Sequence, residues 1–322
     1  MVEMQELTEL HAHLGASTSP ELLWSICHDR GIKLKAHDFW SFKNLVTVQP
    51  GEVKNLKQYD EFFHITEMIQ SSPHAVERSV YEMAGGAYRR NLITRLEIRY
   101  NPMKRNQGGE RDLDRIILAS IHGMDKAMLE YPIKCGLIFC IDRSFTREQN
   151  KVIIEKAVKY GKHRGIIGID VAGPLKNGFN LLDYAEEIKK AQNAGLGFTC
   201  HGGEFDDHEI EAAIELSATR LGHGVRCARN PDFLKLLQDY DITLEICPTS
   251  NLNIGVFSRP AELKKAIDVF LKAGVKMTVN TDGPELLQTT LKQERAFLLK
   301  NKILNQKQLD DCEENARKAS FL

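Results

Sequence analysis

No stretch of this chain approaches the ~18 consecutive apolar residues of a membrane-crossing helix, so a membrane partner is not expected. Neither sign of charge dominates. Forty-three Lys and Arg stand against 44 Asp and Glu in 322 residues, a formal charge of −1, which removes any general electrostatic case for nucleic acid. The seven cysteines contain no CxxC pair and are odd in number, which argues against a disulfide framework and for a reducing compartment. The opening MVEMQELTEL has no basic and apolar leader pattern, so a cytoplasmic location is expected. Several enzyme signatures are missing too: GxSxG, GxxxxGK[ST], and GxGxxG after a strand. Serine hydrolase, P-loop NTPase and dinucleotide chemistry lose support accordingly. HEIEA at 208–212 begins like HExxH but carries Ala212 where the second histidine belongs, and the HxE and PCxxC pieces of cytidine-deaminase zinc sites do not occur.

What remains is the composition of an ordinary soluble globular protein, 42% hydrophobic and 27% charged. Eight short apolar runs punctuate it: ELTELHAHL, NLITRLEIRYN, IKCGLIFCID, GIIGIDVAG, GLGFTCHGG, TRLGHGV, DITLEICPTSN and VKMTVNTDG. Between them lie segments with helical spacing, among them LDRIILASIHGMDKAML, QNKVIIEKAVKYG, LLDYAEEIKKAQNAG, PDFLKLLQD and PAELKKAIDVFLKAG. Gly195 and Gly274 end two of these where a left-handed cap is expected. The alternation reads as β/α units on a parallel sheet, either a (β/α)8 TIM barrel or a doubly wound open sheet. One connection is longer than the rest. Between Leu14 and Leu92 the segments LLWSICHDRG, YDEFFHITEMI and HAVERSVYEMAGGAY predict extra helices, which in a barrel would follow strand 1 and cover the C-terminal mouth. Trp40, Phe42, Tyr59, Phe62 and Phe63 form either a lid surface there or a local helical core. The basic stretch Arg89, Arg90, Arg95, Arg99, Lys104 and Arg105 is interrupted by Glu97 and reads as a solvated face rather than a phosphate site.

The chemistry-bearing residues cluster at strand ends. His11 and His13 stand at i and i+2 on a strand, so both imidazoles project from one face. An isolated pair of this kind carries little, because histidines often serve packing. Company comes from His201 and Glu204 in CHGGE, His223 in RLGHG and Asp282 in VNTDG, each directly after an apolar run. In a parallel barrel those ends share one rim, so residues nearly 300 positions apart can surround one ion. Three imidazoles and a carboxylate suit Zn2+.

With these pieces in order the sequence resembles the adenosine deaminase family of the amidohydrolase superfamily, over nearly the whole chain. ELHAHL stands at the first strand, GIDVAG at the fourth, HGGE at the fifth, LGHG at the sixth, CPTSN at the seventh and NTDGP at the eighth. The resemblance implies a single metal-dependent domain over residues 1–322, with one Zn2+ per chain held by His11, His13, His201 and Asp282. It implies Glu204 as proton donor to the purine ring, His223 as the group that orients and helps deprotonate the attacking water, and Asp282 as a further catalytic carboxylate. It places His13, Gly173 and Gly283 at the substrate, and Ser250 and Asn251 as braces of the rim. The activity implied is hydrolysis of adenosine or 2′-deoxyadenosine to the inosine product and ammonia, in purine salvage, with a small-molecule nucleoside as the partner.

Two departures bear on the substrate. The family commonly carries an acidic residue between the leucine after HxH and the following glycine, where it contacts the sugar, whereas Leu14 is followed directly by Gly15. It also usually has two consecutive aspartates at the eighth strand, whereas Asp282 precedes Gly283, with Glu285 as a candidate replacement. Each missing hydrogen bond is worth ~0.5–1.5 kcal/mol, and neither touches the metal. Adenine, a modified adenine nucleoside and an AMP-type nucleotide therefore stay open as substrates. Another amidohydrolase activity and a non-catalytic purine-binding protein stand behind them. GIDVAG offers no lysine to bridge two metals, which favours one ion.

Overall fold

The computed structural model describes residues 5–49, 51–53, 56–175 and 178–322. Its eight strands are β1 (Leu7–His13), β2 (Ile93–Tyr100), β3 (Lys134–Asp142), β4 (Ile166–Ala172), β5 (Gly197–Gly202), β6 (Arg220–His223), β7 (Thr243–Ile246) and β8 (Lys276–Val279). Each coincides with one of the apolar runs. They pair parallel in sequence order, β1 through β8. The ring joins beyond β8, where Ala12 bridges Asp282: Asp282 N donates to His11 O and His13 N to Asp282 O, both at 2.8 Å. The result is a (β/α)8 barrel. A parallel sheet covered by helices buries both faces of each strand, which is why all seven residues of β4 are buried.

The long first connection holds α1 (Pro20–Arg30), α2 (Phe39–Val46), α3 (Leu56–Ile69) and α4 (Pro73–Asn91). Around the rest of the ring run α5 (Leu113–Glu130), α6 (Arg147–Tyr160), α7 (Ala185–Asn193), α8 (Ile210–Glu215), α9 (Pro231–Asp239), α10 (Pro248–Asn253), α11 (Pro260–Ala273), α12 (Leu291–Lys300) and α13 (Gln306–Ala319). Local signals set several of these boundaries. Proline opens α1, α4, α9 and α11, Thr146 and Gln149 form a capping box on α6, and Gly274 closes α11 at φ 67°. Gly195 likewise has φ 82°. The short α2 has no strong helical period. It is held by Asp38, which accepts from Trp40 N and Ser41 N, and by Phe42 and Val46 packing into a satellite core with Leu23 and Ile26.

The aromatic group of the insert divides. Phe42 belongs to that satellite core, Trp40 is 71% exposed, and Tyr59 and Phe63 meet edge to face, 5.1 Å between ring centroids, over the barrel mouth. Phe62 packs beside a second small cluster that includes Tyr59 and Leu286. Both readings of these residues thus apply, to different members.

The expected solvated basic face is not there. Arg89 and Arg90 reach the surface, but Arg99 and Arg105 are fully buried and Lys104 lies against Asp142 at 2.6 Å. Alternation along β2 explains the difference: Glu97 and Arg99 share one face, and that face is the barrel interior. There each charge is neutralised. Arg99 meets Asp170 and Glu245 at 3.0 and 2.8 Å, and Arg220 meets Glu97 and Glu245 at 2.7 and 2.8 Å. All five side chains are fully buried. Below them, Ser320 Oγ and Phe321 N donate to Glu97 at 2.8 and 2.6 Å, and the Phe321 ring lies 3.7 Å from the Arg220 guanidinium carbon. Gly197 admits that ring: a Cβ there would come within 2.3 Å of it. All seven cysteines are buried and unpaired. No helix among the described residues is long and apolar enough to cross a membrane.

Candidate active site

The C-terminal rim gathers the residues singled out in the sequence. His11 and His13 come from β1, His201 from β5, His223 ends β6, and Asp282 follows β8. One ring nitrogen from each of His11, His13 and His201 lies within 4.8 Å of the others. His13 Nε2 stands 3.0 Å from His201 Nε2, and Asp282 Oδ1 is 3.5 Å from His13 Nε2 and 3.8 Å from His11 Nε2. His11, His201 and Asp282 are also anchored from behind. His11 Nδ1 meets Glu245 at 2.7 Å, His201 Nδ1 meets Asp170 at 3.1 Å, and Ser250 Oγ donates to Asp282 Oδ2 at 2.6 Å.

Those anchors decide which nitrogen each ring offers the cavity. His11 Nε2 is buried and has no hydrogen-bond partner in the protein, an expensive state for a polar atom unless a ligand takes it up. Burial first, and then Arg99 and the neighbouring imidazoles, hold His11 well below its usual pKa. Burial and His201 act in the same direction on His13. Both rings are therefore neutral near pH 7, the form that binds metal. Carboxylates behind ligating histidines are the usual outer support of such centres, and Asp170 and Glu245 occupy that position. The three imidazoles fit a divalent cation, and Asp282 stands beside them at 3.5–3.8 Å from two of the rings. His11, His223 and Cys247 also lie close together, but burial pushes the Cys247 thiol up and its Sγ donates to Glu245 O at 3.5 Å.

Glu204 and His223 stand beside this cluster, with Glu204 Oε1 3.4 Å from His223 Nε2. Asn251 Nδ2 holds His223 Nδ1 at 3.0 Å, so Nε2 is the nitrogen turned to Glu204. Burial and then the Asp282 charge push the Glu204 carboxyl well above its usual range. Its protonated form is thereby favoured. Burial also lowers His223, with His201 adding to the effect, and raises Asp282. His223 φ is 62° and Asp282 φ is 63°, left-handed conformations uncommon outside glycine, and both occur on residues that project into the site.

Above the cluster opens a cleft of about 1120 Å3, its mouth included, large enough for a nucleoside-sized ligand. Helix α3 covers one wall with Tyr59, Asp60, Phe63 and Glu67. Gly173 lines the opposite side at φ 87°; a Cβ there would strike the Asp142 carboxylate at 2.8 Å, so only glycine leaves that wall open. Gly15 lies under the cover helix, where a Cβ would meet Glu67, Arg105 and Phe63 at 3.2–3.3 Å. Glu67 of α3 thus brings a carboxylate side chain close to Gly15.

Two expected contacts are not brought to the cleft. Gly283 donates its N–H to Thr281 O at 2.8 Å and accepts from Leu287 N at 2.8 Å, and it packs against Ala16, so its backbone is already engaged. Glu285 pairs with Arg90 instead of facing the site. Several side chains now at the site were not assigned to it in the sequence: Asp170 and Glu245 behind the ligands were passed over and Arg99 beside them was taken for a solvated face, while Glu67 and Asp142 around the cleft were passed over and Tyr59 stood only as a lid or core aromatic. For the first three a signal existed, since a charge in the middle of a strand buried on both faces must be paired inside the barrel.

The family model for adenosine deaminase matches residues 7–322. This chain belongs to the adenosine deaminase family. Among that family, adenosine deaminase of Vibrio vulnificus is 29% identical over 290 residues, spanning 89% of this chain and 85% of its own. An amidohydrolase from Burkholderia ambifaria with bound Zn superposes with a TM-score of 0.85 at 19% identity, covering 99% of this chain and 86% of that one. An Arabidopsis N6-mAMP deaminase superposes with a TM-score of 0.82 at 21% identity, covering 99% and 94%. Adenosine deaminase family members hydrolyse the C–N bond of a cyclic amidine, and this chain is such an enzyme.

Proposed function

We propose that this chain removes the 6-amino group of adenine nucleosides, adenosine and 2′-deoxyadenosine foremost, in purine salvage, using one Zn2+ held by His11, His13, His201 and Asp282. Those four residues would hold the ion, which when bound would act as a Lewis acid and lower the pKa of a water towards ~7. The observation that carries the reading is the Glu204 carboxyl, 3.4 Å from His223 at the edge of the donor cluster, where burial favours its protonated form. Attack on the amino-bearing ring carbon drives electrons onto the adjacent ring nitrogen, and Glu204 donates its proton to that nitrogen. With Asn251 Nδ2 donating to Nδ1, a neutral His223 carries its proton on Nε2 and orients the attacking water, while Asp282 accepts the water's proton and passes it to the amino group as the C–N bond breaks. Gly173 leaves room for the base, and Phe63 with its neighbours on α3 excludes solvent. Ammonia then departs.

The lining supports a neutral nucleoside over a nucleotide. Among the described residues, Arg99 pairs with Asp170 and Glu245, Lys104 with Asp142 and Arg143 with Glu209, while Arg105 stands 3.2 Å from Glu67 with none of its guanidinium nitrogens hydrogen-bonded. Asp60, half-buried beside them, adds a further acid. A phosphate of about −2 would enter a predominantly acidic wall, whereas sugar hydroxyls find acceptors there in Glu67 and Asp60. The test is ammonia release and the purine ultraviolet shift with adenosine, 2′-deoxyadenosine, adenine, N6-methyl-AMP and AMP. The two nucleosides are expected to give the highest kcat/KM. Preference for AMP or N6-methyl-AMP would overturn the substrate assignment, and no ammonia from any of the panel by zinc-loaded protein would overturn the activity.

A further inference from the structure

Tyr59 sits on α3 at the cleft wall, 4% exposed, and among the described residues its hydroxyl oxygen has no well-formed hydrogen bond. Ser250 and Asp282 lie at the margin of its reach, but they are joined to each other at 2.6 Å. A buried hydroxyl left unpaired costs ~1–3 kcal/mol, so a fold keeps one where something outside the free protein completes it. His11 Nε2 shows the same signature in the same cleft. The hydroxyl also has a defined side. A Cβ on Gly283 would come within 3.3 Å of it, which puts it next to the residue after Asp282, on the β8–β1 flank. Glu204 occupies the β5–β6 flank against His223.

We propose that the Tyr59 hydroxyl is a specificity-determining hydrogen-bond donor to the purine, reaching N7. The inference rests on the deaminase reading above. With C6 at the Asp282–His223 pair and N1 towards Glu204, the ring turns its other edge, C5 and N7, to the β8–β1 flank. N7 is a bare acceptor, and a phenol O–H is a donor that needs no change of protonation to serve it. The cover helix thereby reads the base as well as shielding it: the hydroxyl finds its partner only when a purine with N7 is seated.

Two competitive inhibitors separate this role from a structural one. 1-Deazaadenosine keeps N7 but lacks the nitrogen that Glu204 protonates, and 7-deazaadenosine lacks N7. In zinc-loaded Tyr59→Phe, Ki for 1-deazaadenosine should rise by about fivefold or more, and Ki for 7-deazaadenosine should stay within about twofold of wild type. Zinc content should be unchanged, and the melting temperature of the free protein should not fall, because the hydroxyl has no well-formed hydrogen bond to lose. An equal change in both Ki values, or none in either, would overturn the proposal, and so would a loss of zinc or of stability. Failure of the deaminase reading would show separately, as wild-type protein that releases no ammonia from adenosine.

Discussion

Glu245→Gln isolates the support behind the metal donors. Glu245 is fully buried on β7 and touches four groups: His11 Nδ1 at 2.7 Å, Arg99 at 2.8 Å, Arg220 at 2.8 Å and Thr199 Oγ1 at 3.2 Å. The amide keeps the shape but removes the charge that balances two buried guanidiniums, and breaking a buried pair costs about 3–5 kcal/mol. That is a large share of the ~5–15 kcal/mol by which a domain is stable. A second loss follows at the metal. His11 no longer donates Nδ1–H to a carboxylate, and removal of such a partner weakens metal binding by roughly 10–100-fold, or ~1.4–2.7 kcal/mol. Because zinc stabilises the folded chain by mass action, the variant should lose about that much of the zinc-dependent part of its stability at fixed zinc concentration. Chelator competition gives the affinity, and melting with and without zinc separates the two losses. A variant that binds zinc as wild type does would refute the assignment of Glu245 as the partner that orients His11. Unchanged apo stability would refute the charge balance inside the barrel.

Other perturbations have equally definite signs. Glu204→Gln should retain zinc and lose about 10²–10⁴-fold in kcat, measured by ammonia release, since the amide cannot donate the proton. His11→Ala should deplete the metal, read by elemental analysis of purified protein; normal zinc content would remove His11 from the donor set. Glu294, fully buried, accepts from Thr249 N and Thr289 Oγ1, and burial raises it from 4.5 to about 7. Its folded pKa exceeds the unfolded one, so its contribution is complete below pH 4.5 and is lost as pH climbs through about 7, by up to ~3 kcal/mol. Glu294→Gln should flatten that fall in urea melts at pH 5 and 8. Phe321→Ala should cost about 2–3 kcal/mol by emptying the barrel floor beneath Arg220, seen as a lower denaturation midpoint with unchanged slope.

Legibility differed by scale. The eight strands were readable because burial on both faces leaves short runs rich in apolar residues, broken chiefly by charges that pair inside the barrel, as on β2 and β7. Helices with a clear period or a glycine stop were readable for the same kind of reason, as with α5, α6 and α11. The short α2 was not, since its form depends on Phe42 and Val46 finding Leu23 and Ile26. Arg99 was misread as surface because a basic residue among other basic residues resembles a solvated face. Only the pairing of β2 with its neighbours shows that it points at Asp170 and Glu245.

By itself the sequence determined the repeat of strand and helix, the order of HxH, HGGE, LGHG and NTDGP along it, and so the set of side chains offered at the strand ends. Those are local properties, written in residue type and spacing. Only the tertiary structure decided which carboxylates stand behind His11 and His201, that Gly283 and Glu285 are engaged elsewhere, and that α3 brings Tyr59 and Glu67 over the cleft. The two carboxylate–histidine contacts join residues 31 and 234 positions apart, and closing a barrel from β8 to β1 sets their distances in a way that no neighbouring stretch of chain specifies.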